Sequence, residues 1–254
     1  MSPAIRHIIL PLEGSRLAER AVEPALVLAR AFNADVALVR CYEPAVHPPS
    51  TNAGWAFLGR KASMPLHAAS LYLARIEETF RQRGVRAHAH LFQWPVTSAI
   101  LDTAIDNSDA LIVMAARAES DDAHRLEGVA TEVVDAAATP VLLLPTDTRV
   151  VFAGSRRRGM RILAIGGNVA FEVEAYAQML AEAFRGTIEH ASFEGQEKGN
   201  TSARTAQLAK TARAIADVVV LKEAPQLDGC ESGSGGRNVV NMLLAAGLPV
   251  LMVP

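Results

Sequence analysis

The segment from Asp109 to Pro145 has the residue pattern of a phosphate-binding loop between two buried strands. It contains an apolar run, a polar loop, a helix that begins near Gly128 and a second apolar run. The N-terminus of a helix in this position favours a negatively charged group, because its first N–H groups have no partner within the helix. The end of the first strand has no glycines, and such a loop needs them to close its backbone on a nucleotide.

Two other patterns suggest binding chemistry. Ser232-Gly-Ser-Gly-Gly236 resembles a phosphate nest ahead of a helix, but short Gly/Ser runs are usually flexible surface linkers, and we favour that interpretation. His88 and His90 alternate on a predicted strand and therefore share a face, as two metal ligands would. No third ligand lies near them in sequence, so exposed or hydrogen-bonded histidines are favoured. No Ser, His and Asp set, Cys-x-x-Cys motif or His-Glu-x-x-His motif indicates catalysis.

Strand and helix patterns alternate in the first half, which predicts a parallel sheet with helices on both faces. The predicted strands are Ile5–Pro11, Asp35–Tyr42, Val85–Gln93, Ala110–Ala115 and Val141–Leu144. The predicted helices are Ser15–Phe32, capped by Ser15 and containing Pro24, Leu66–Arg83, Val96–Asn107 and Gly128–Ala138. From Glu43 to Pro65, prolines and glycines predict a long irregular insertion. Its Trp55 and Phe57 either pack onto their own domain or form a lid or partner surface over the carboxyl ends of the strands.

The second half repeats this pattern with one helix and one strand fewer. Its predicted strands are Arg161–Ile165, Thr187–Phe193, Val218–Leu221 and Val250–Val253, and its predicted helices include Phe171–Phe184 and Ala203–Ala216. The stretch Thr146–Gly159 predicts a linker. We therefore expect one domain over residues 1–147 and a truncated second domain over residues 160–254.

Composition and charge exclude some classes of function. The 254-residue chain has a formal net charge of −2, and its basic cluster, Arg156 to Arg158, lies in the predicted linker, so no nucleic-acid partner is expected. No apolar run approaches the roughly 20 residues that span a bilayer, and the start has no signal-peptide pattern. Cys41 and Cys230 do not make a disulfide framework. We expect a cytoplasmic protein with no membrane partner.

Three segments of the first half resemble the universal stress protein family. Ile8 to Ser15 is similar to the family's opening strand and Asp-Gly-Ser turn, Asp109 to Met114 to its fourth strand, and Gly128 to Leu144 to its final helix and strand. In the second half, Ala216 to Leu221 and Gly247 to Val253 carry a weaker match. The resemblance implies the tandem two-domain form. It also implies an α/β fold of two tandem open parallel sheets with helices on both faces, similar to the adenine-nucleotide alpha hydrolases.

The same resemblance implies where a nucleotide would bind. Family members that bind ATP carry Gly-x-x-Gly, nine residues, and then Gly followed by Ser or Thr. Here Ala115 and Ala118 stand at the first two glycine positions. The nine-residue spacing and the third glycine, Gly128, are kept, but Val129 stands where the family has Ser or Thr. An added methyl group costs on the order of 1 kcal/mol where the backbone has positive φ. The residues expected to line the site are Leu12, Glu13, Val39, Met114, Ala115, Arg117, Gly128, Val129 and Ala130.

Charge around this loop also disfavours a polyphosphate. The loop carries Glu119, Asp121, Asp122 and Glu127 against Arg117 and Arg125, an excess of two negative charges if His124 is neutral. Glu13 stands where the family usually has Asp and could still reach a ribose or a metal. In the second half no Gly-x-x-Gly follows the corresponding strand, and Gly167-Asn168 stands where the acidic turn would be.

The resemblance implies two alternative functions. The first is a non-enzymatic stress-response protein with a degenerate nucleotide site, which acts through an unknown protein partner and has no firm cofactor. The alternative is an ATP-binding regulator or slow ATPase that uses the first-domain site. In either case we expect ATP to bind only weakly.

The resemblance also implies how the two halves meet. Family dimers join at the edge formed by the final strand, and an open apolar edge strand promotes aggregation. We therefore expect Val141–Leu144 and Val250–Val253 to pair antiparallel. The chain would then be a pseudo-dimer, and a homodimer of the whole chain is a further alternative.

Overall fold

Nine strands in the described part of the chain form one continuous, mostly parallel sheet. The computed structural model describes residues 3–42, 52–93, 95–107, 109–116, 128–146, 159–166, 171–191, 201–222 and 235–254, with backbone alone for 52–65, 201–206, 208 and 235–238. The strands are β1 (His7–Pro11), β2 (Asp35–Tyr42), β3 (Ala87–Gln93), β4 (Ala110–Ala116), β5 (Val141–Pro145), β6 (Arg161–Ile165), β7 (Thr187–Ala191), β8 (Val218–Lys222) and β9 (Val250–Val253). Their order across the sheet is β3-β2-β1-β4-β5-β9-β8-β6-β7.

The central pair of this sheet, β5 and β9, is antiparallel, whereas the other neighbouring strands are parallel. Val141 lies opposite Met252, Leu142 opposite Leu251 and Leu143 opposite Val250. Both strands are buried along their length. The predicted antiparallel pairing of the two final strands is therefore confirmed, and it joins five strands of the first half to four of the second.

Helices cover both faces of the sheet. In the described ranges they are α1 (Arg16–Glu19), α2 (Val22–Phe32), α3 (Asn52–Gln82), α4 (Val96–Ile105), α5 (Val129–Ala136), α6 (Phe171–Phe184), α7 (Thr201–Ile215) and α8 (Gly235–Ala245). One core packs α2, α3 and α6 against the sheet, and the other packs α4, α5, α7 and α8. Successive residues of a strand face opposite sides of the sheet, so Ile8 packs in the first core and Ile9 in the second.

The first predicted helix is two helices. Ser15 caps α1 as expected, since its side chain accepts a hydrogen bond from the Ala18 N–H at 3.1 Å. The chain then breaks at Arg20 and Ala21, and α2 begins at Val22. Pro24 is consequently the third residue of α2, where its missing N–H would have had no intrahelical partner. The break places Pro24 at a position of low cost, which the prediction of one continuous helix did not allow.

The predicted irregular insertion is wrong over residues 52–65, where α3 is already helical. Gly54, Gly59 and Pro65 weighed against a helix in the sequence, but a single proline removes one donor and the remaining turns can continue around it. The side chains of Trp55 and Phe57, and with them the predicted lid, lie outside the described residues. The other predicted bounds agree with the structure to within two residues wherever the chain is described.

Within its described residues, the second half has no counterpart of α3 or β3, as its shorter pattern predicted. Most of the predicted linker, residues 147–158, lies outside the described residues. None of the described helices has both the length and the apolar composition needed to cross a membrane.

Phe32 and Phe184 pack against each other where the two halves meet. Each is the last residue of its helix, α2 or α6, and each is followed by a residue with positive φ: Asn33 at 53° and Arg185 at 51°. The two rings form an edge-to-face pair with centroids 6.3 Å apart. Equivalent residues of the two halves therefore meet each other, as in a symmetric dimer.

This pair is expected to couple the halves energetically. Phe184→Ala should destabilise the protein by about 3 kcal/mol because Phe184 is buried, and Phe32→Ala by less because Phe32 is half-buried. In a double-mutant cycle measured by urea denaturation, we expect a coupling free energy of about 0.5–1.5 kcal/mol. Strictly additive effects would show that the two rings do not stabilise each other.

Candidate ligand-binding site

The strand order reverses between β1 and β4, and this reversal opens a crevice. From β1 the chain builds outward through β2 to β3, whereas β4 and β5 lie on the other side. Helices that follow β1 and β4 therefore diverge at the carboxyl ends of these strands, the usual ligand position in open α/β sheets. A cavity of about 400 Å³ lies there, within the range of small-molecule sites.

The structure brings eight of the nine predicted site residues together around this cavity. They come from the end of β1, from β2, from the end of β4 and from the start of α5: Leu12, Glu13, Val39, Met114, Ala115, Gly128, Val129 and Ala130. The ninth, Arg117, lies outside the described residues, together with the rest of the loop at 117–127 and the second glycine position, Ala118.

Seven further lining residues were missed from the sequence: Pro11, Leu17, Ala18, Cys41, Val96, Ile100 and Ala116. One of them carried a usable signal. Cys41 lies two residues after Val39 on β2 and therefore shares its face. Val96 and Ile100 lie one turn apart on α4, but nothing in the sequence placed that turn beside β1.

Apolar side chains form most of the cavity wall. Leu12, Val39 and Ile100 are almost fully buried beneath it. Cys41 is half-buried, and burial raises the pKa of its thiol, so the sulfur stays neutral at physiological pH. The described wall thus suits an apolar ring better than a charged group.

Glu13 lies at the exposed rim and carries the one charge among the fifteen described lining residues. Its carboxylate accepts a hydrogen bond from the Ser15 hydroxyl, with 2.5 Å between Oγ and Oε1. The same hydroxyl oxygen accepts from the Ala18 N–H, so the cap of α1 also orients the carboxylate. A fixed negative acceptor therefore borders the cavity.

The N-terminus of α5 forms another side of the cavity. Gly128 precedes it with φ 66° and ψ −140°, a conformation that glycine adopts readily, and no side chain caps the helix. The helix dipole favours an anion at this end. Glu132 in the first turn already supplies negative charge there, and its carboxylate accepts a hydrogen bond from the Thr97 hydroxyl.

A cation–π cluster supports the turn that carries Glu13. Gly14 has φ 92°, and a Cβ atom built on it would lie 2.7 Å from Nη1 of Arg40. The Arg40 guanidinium lies 4.6 Å from the centroid of the Tyr72 ring, and that of Arg75 lies 5.5 Å from it. Arg75 also forms an ion pair with Glu19 of α1 at 2.7 Å. A Cβ atom at position 14 would therefore displace the Arg40 guanidinium from its place beside the turn.

The corresponding crevice of the second half has different chemistry. Ile112 of β4 and Val219 of β8 occupy equivalent buried positions next to β1 and β6, so Lys222 corresponds to Ala115. Lys222 Nζ lies 3.5 Å from Oε1 of Glu172, in the first turn of α6. A hydrogen bond to the backbone of Glu172 and the charge of Lys222 lower the pKa of that carboxyl. An ion pair thus stands where the first half has a small apolar residue.

The sequence contains two other candidate patterns, the Ser/Gly run at 232–236 and the pair of histidines on β3. Gly235 and Gly236 begin α8 and do not precede it, while the rest of the Ser/Gly run lies outside the described residues. His88 and His90 are exposed on β3, as predicted, and the His90 ring stacks on Phe92 with centroids 6.3 Å apart. Among the described residues, no cluster of three or more His, Cys, Asp or Glu side chains could hold a metal ion.

A family model described as the universal stress protein family matches residues 4–145. The chain belongs to this family. A putative universal stress protein from Pseudomonas aeruginosa UCBPP-PA14 matches 98% of this chain and 93% of its own, with 16% identity and a TM-score of 0.64. A universal stress protein from Archaeoglobus fulgidus DSM 4304 matches 97% and 95%, with 13% identity and a TM-score of 0.66. At these identities the structures show a shared fold, and it extends over both halves. No curated protein matches the chain in sequence.

The packing of Arg40 over Gly14 in this universal stress protein can be tested by additivity. Gly14→Ala should destabilise the protein by about 1–2 kcal/mol, through positive φ and displacement of Arg40 from Tyr72. In an Arg40→Ala background this loss should shrink, since the displaced group is gone. Gly128→Ala serves as the control, because its Cβ would meet no atom within 4 Å, and its loss should be the same in both backgrounds. Equal losses for Gly14→Ala in both backgrounds, measured by urea denaturation, would contradict this account.

Tyr72 should make stability depend on alkaline pH. Burial, and then the charge of Glu19, raise the pKa of its phenol from 10.0 to about 12, and Arg40 and Arg75 offset part of this shift. The neutral phenol is therefore favoured in the folded state. Its contribution is complete below pH 10 and is lost as pH rises through about 12. Relative to Tyr72→Phe, the wild type should lose stability between about pH 10 and 12 in urea titrations. If the stabilities of the wild type and Tyr72→Phe changed with pH in parallel, the pKa of the Tyr72 phenol would not be raised in the folded state.

Proposed function

We propose that this universal stress protein is non-enzymatic and acts through contacts with other proteins, and that its first-domain nucleotide site is degenerate. The crevice is kept, but its described walls are apolar and their one charge, on Glu13, is negative. A site that holds a triphosphate tightly needs donors and positive charge at that place.

The methyl groups near the α5 N-terminus support this proposal. Ala115 and Val129 both line the cavity, at the positions where ATP-binding relatives have glycine and a hydroxyl residue. Val129 cannot donate the hydrogen bond that Ser or Thr would give to a phosphate oxygen. The Cβ of Ala115 occupies space that a glycine would leave for close backbone approach.

The charges around the crevice also disfavour tight binding of a triphosphate. The uncapped N-terminus of α5 is worth typically about 0.3–1 kcal/mol to an anion. Glu13 and Glu132 oppose it, and two like charges 4 Å apart repel by about 1 kcal/mol in bulk water and about 4 kcal/mol at an effective dielectric constant of 20. The helix dipole alone is therefore too weak to hold a polyphosphate tightly.

The sheet edges support action through protein contacts. In the described sheet, β3 and β7 are the outer strands, and each has a neighbouring strand on one side only. An outer strand presents backbone donors and acceptors to which a partner strand can add. We propose a protein partner in the cytoplasm. A second copy of the chain is the alternative partner.

An ATP-binding regulator or slow ATPase is the second candidate. The cavity of about 400 Å³ and the kept Gly128 at the start of α5 favour it, because shape and spacing of a nucleotide site persist. A titration with ATP separates the two candidates.

Wild-type protein should bind Mg²⁺-ATP only in the high micromolar range or more weakly, about −5 kcal/mol or less favourable, in calorimetric titration. The combined change Ala115→Gly, Ala118→Gly and Val129→Ser should strengthen binding by roughly tenfold, through restored backbone and hydroxyl contacts. Val134→Ser, farther along the same helix, is the matched control and should leave affinity unchanged. Tight binding by the wild type would favour the regulator instead, and no gain in the triple variant would show that the obstruction lies elsewhere.

A further inference from the structure

We propose that the first-domain crevice selects uncharged, flat ligands that carry a hydroxyl or N–H donor, and that Glu13 makes it reject their phosphorylated forms. This inference rests on the proposed function of the same site. It goes further by assigning a ligand class and a specificity-determining residue to a crevice that would otherwise be only a weak ATP site.

The shape and the walls of the crevice define the ligand's body. The cavity of about 400 Å³ can enclose a small ring system. Val39 from β2, Met114 from β4 and Ile100 from α4 present almost fully buried apolar side chains to it. Burial of a ring against them is favourable at roughly 25 cal/mol per Å² of apolar surface removed from water.

The rim defines the polar group that the ligand must carry. The ionised Glu13 carboxylate can accept hydrogen bonds but cannot donate them. The Ser15 hydroxyl donates a 2.5 Å hydrogen bond to it and so holds it in place. A ligand hydroxyl or N–H can donate to the remaining lone pairs of this carboxylate. A ligand that ends in a phosphate offers only acceptors and negative charge, so the same carboxylate repels it.

The surrounding charges reinforce this selection. Glu132 lies in the first turn of α5, and its negative charge weakens the attraction of the helix dipole for an anion.

Adenosine and Mg²⁺-ATP are suitable probes because they share base and ribose and differ in charge. Calorimetric titration at one ionic strength should show that wild-type protein binds adenosine about tenfold or more tightly than ATP. Glu13→Gln removes the charge and keeps the shape. It should weaken adenosine binding about threefold to tenfold and strengthen ATP binding, so the two affinities move in opposite directions.

Glu78→Gln is the matched control. It makes the same change in net charge, but Glu78 lies on α3 beside a different cavity, so neither affinity should change. Circular dichroism should show that both variants are folded, since Glu13 is exposed.

Three results would overturn the inference. Undetectable adenosine binding would do so and would leave the proposed function intact, because that function requires only weak ATP binding. ATP binding tightly and better than adenosine would overturn both. Equal effects of Glu13→Gln and Glu78→Gln would show that Glu13 does not determine the selectivity.

Discussion

The antiparallel pairing of β5 with β9 joins the two halves of the chain into one sheet. Each of these apolar strands ends one half of the chain, and each would be an open sheet edge if the halves were separate. Their pairing buries both edges and relates the halves as two subunits of a dimer would be related. It also brings the ends of α2 and α6 together, which explains why Phe32 meets its own counterpart, Phe184. The chain contains within itself the association that single-domain proteins achieve with a second copy.

The two halves show how one topology can carry different electrostatic sites. Both have a strand reversal with diverging helices, in the first half between β1 and β4 and in the second between β6 and β8. At equivalent positions the first half has Ala115, and the second has Lys222 paired with Glu172. The fold supplies the crevice, and a few residues at the strand ends and helix starts decide which charge it accepts. In the first half those residues leave an apolar cavity with a carboxylate at its rim.

Much of the fold could be predicted, because apolar runs and helical periodicity are local in sequence. The family resemblance supplied the pairing of β5 with β9 and eight of the residues around the cavity. Helix α3 was mispredicted over residues 52–65, since the local preferences of proline and glycine were weighted above the continuity of the helix. The contribution of Val96 and Ile100 to the cavity, and the packing of Arg40 over Gly14, could not be predicted. These contacts join segments far apart in the chain, and no single-sequence pattern encodes them.

The salt dependence of ATP binding to the wild-type protein reports the sign of the charge around the crevice. Raising ionic strength from about 0.01 M to about 0.15 M shortens the Debye length from about 30 Å to about 8 Å. If negative charge on Glu13 and its surroundings opposes the phosphates, screening should leave the weak affinity unchanged or strengthen it. An affinity that falls several-fold over the same range would reveal a net positive site and contradict the account.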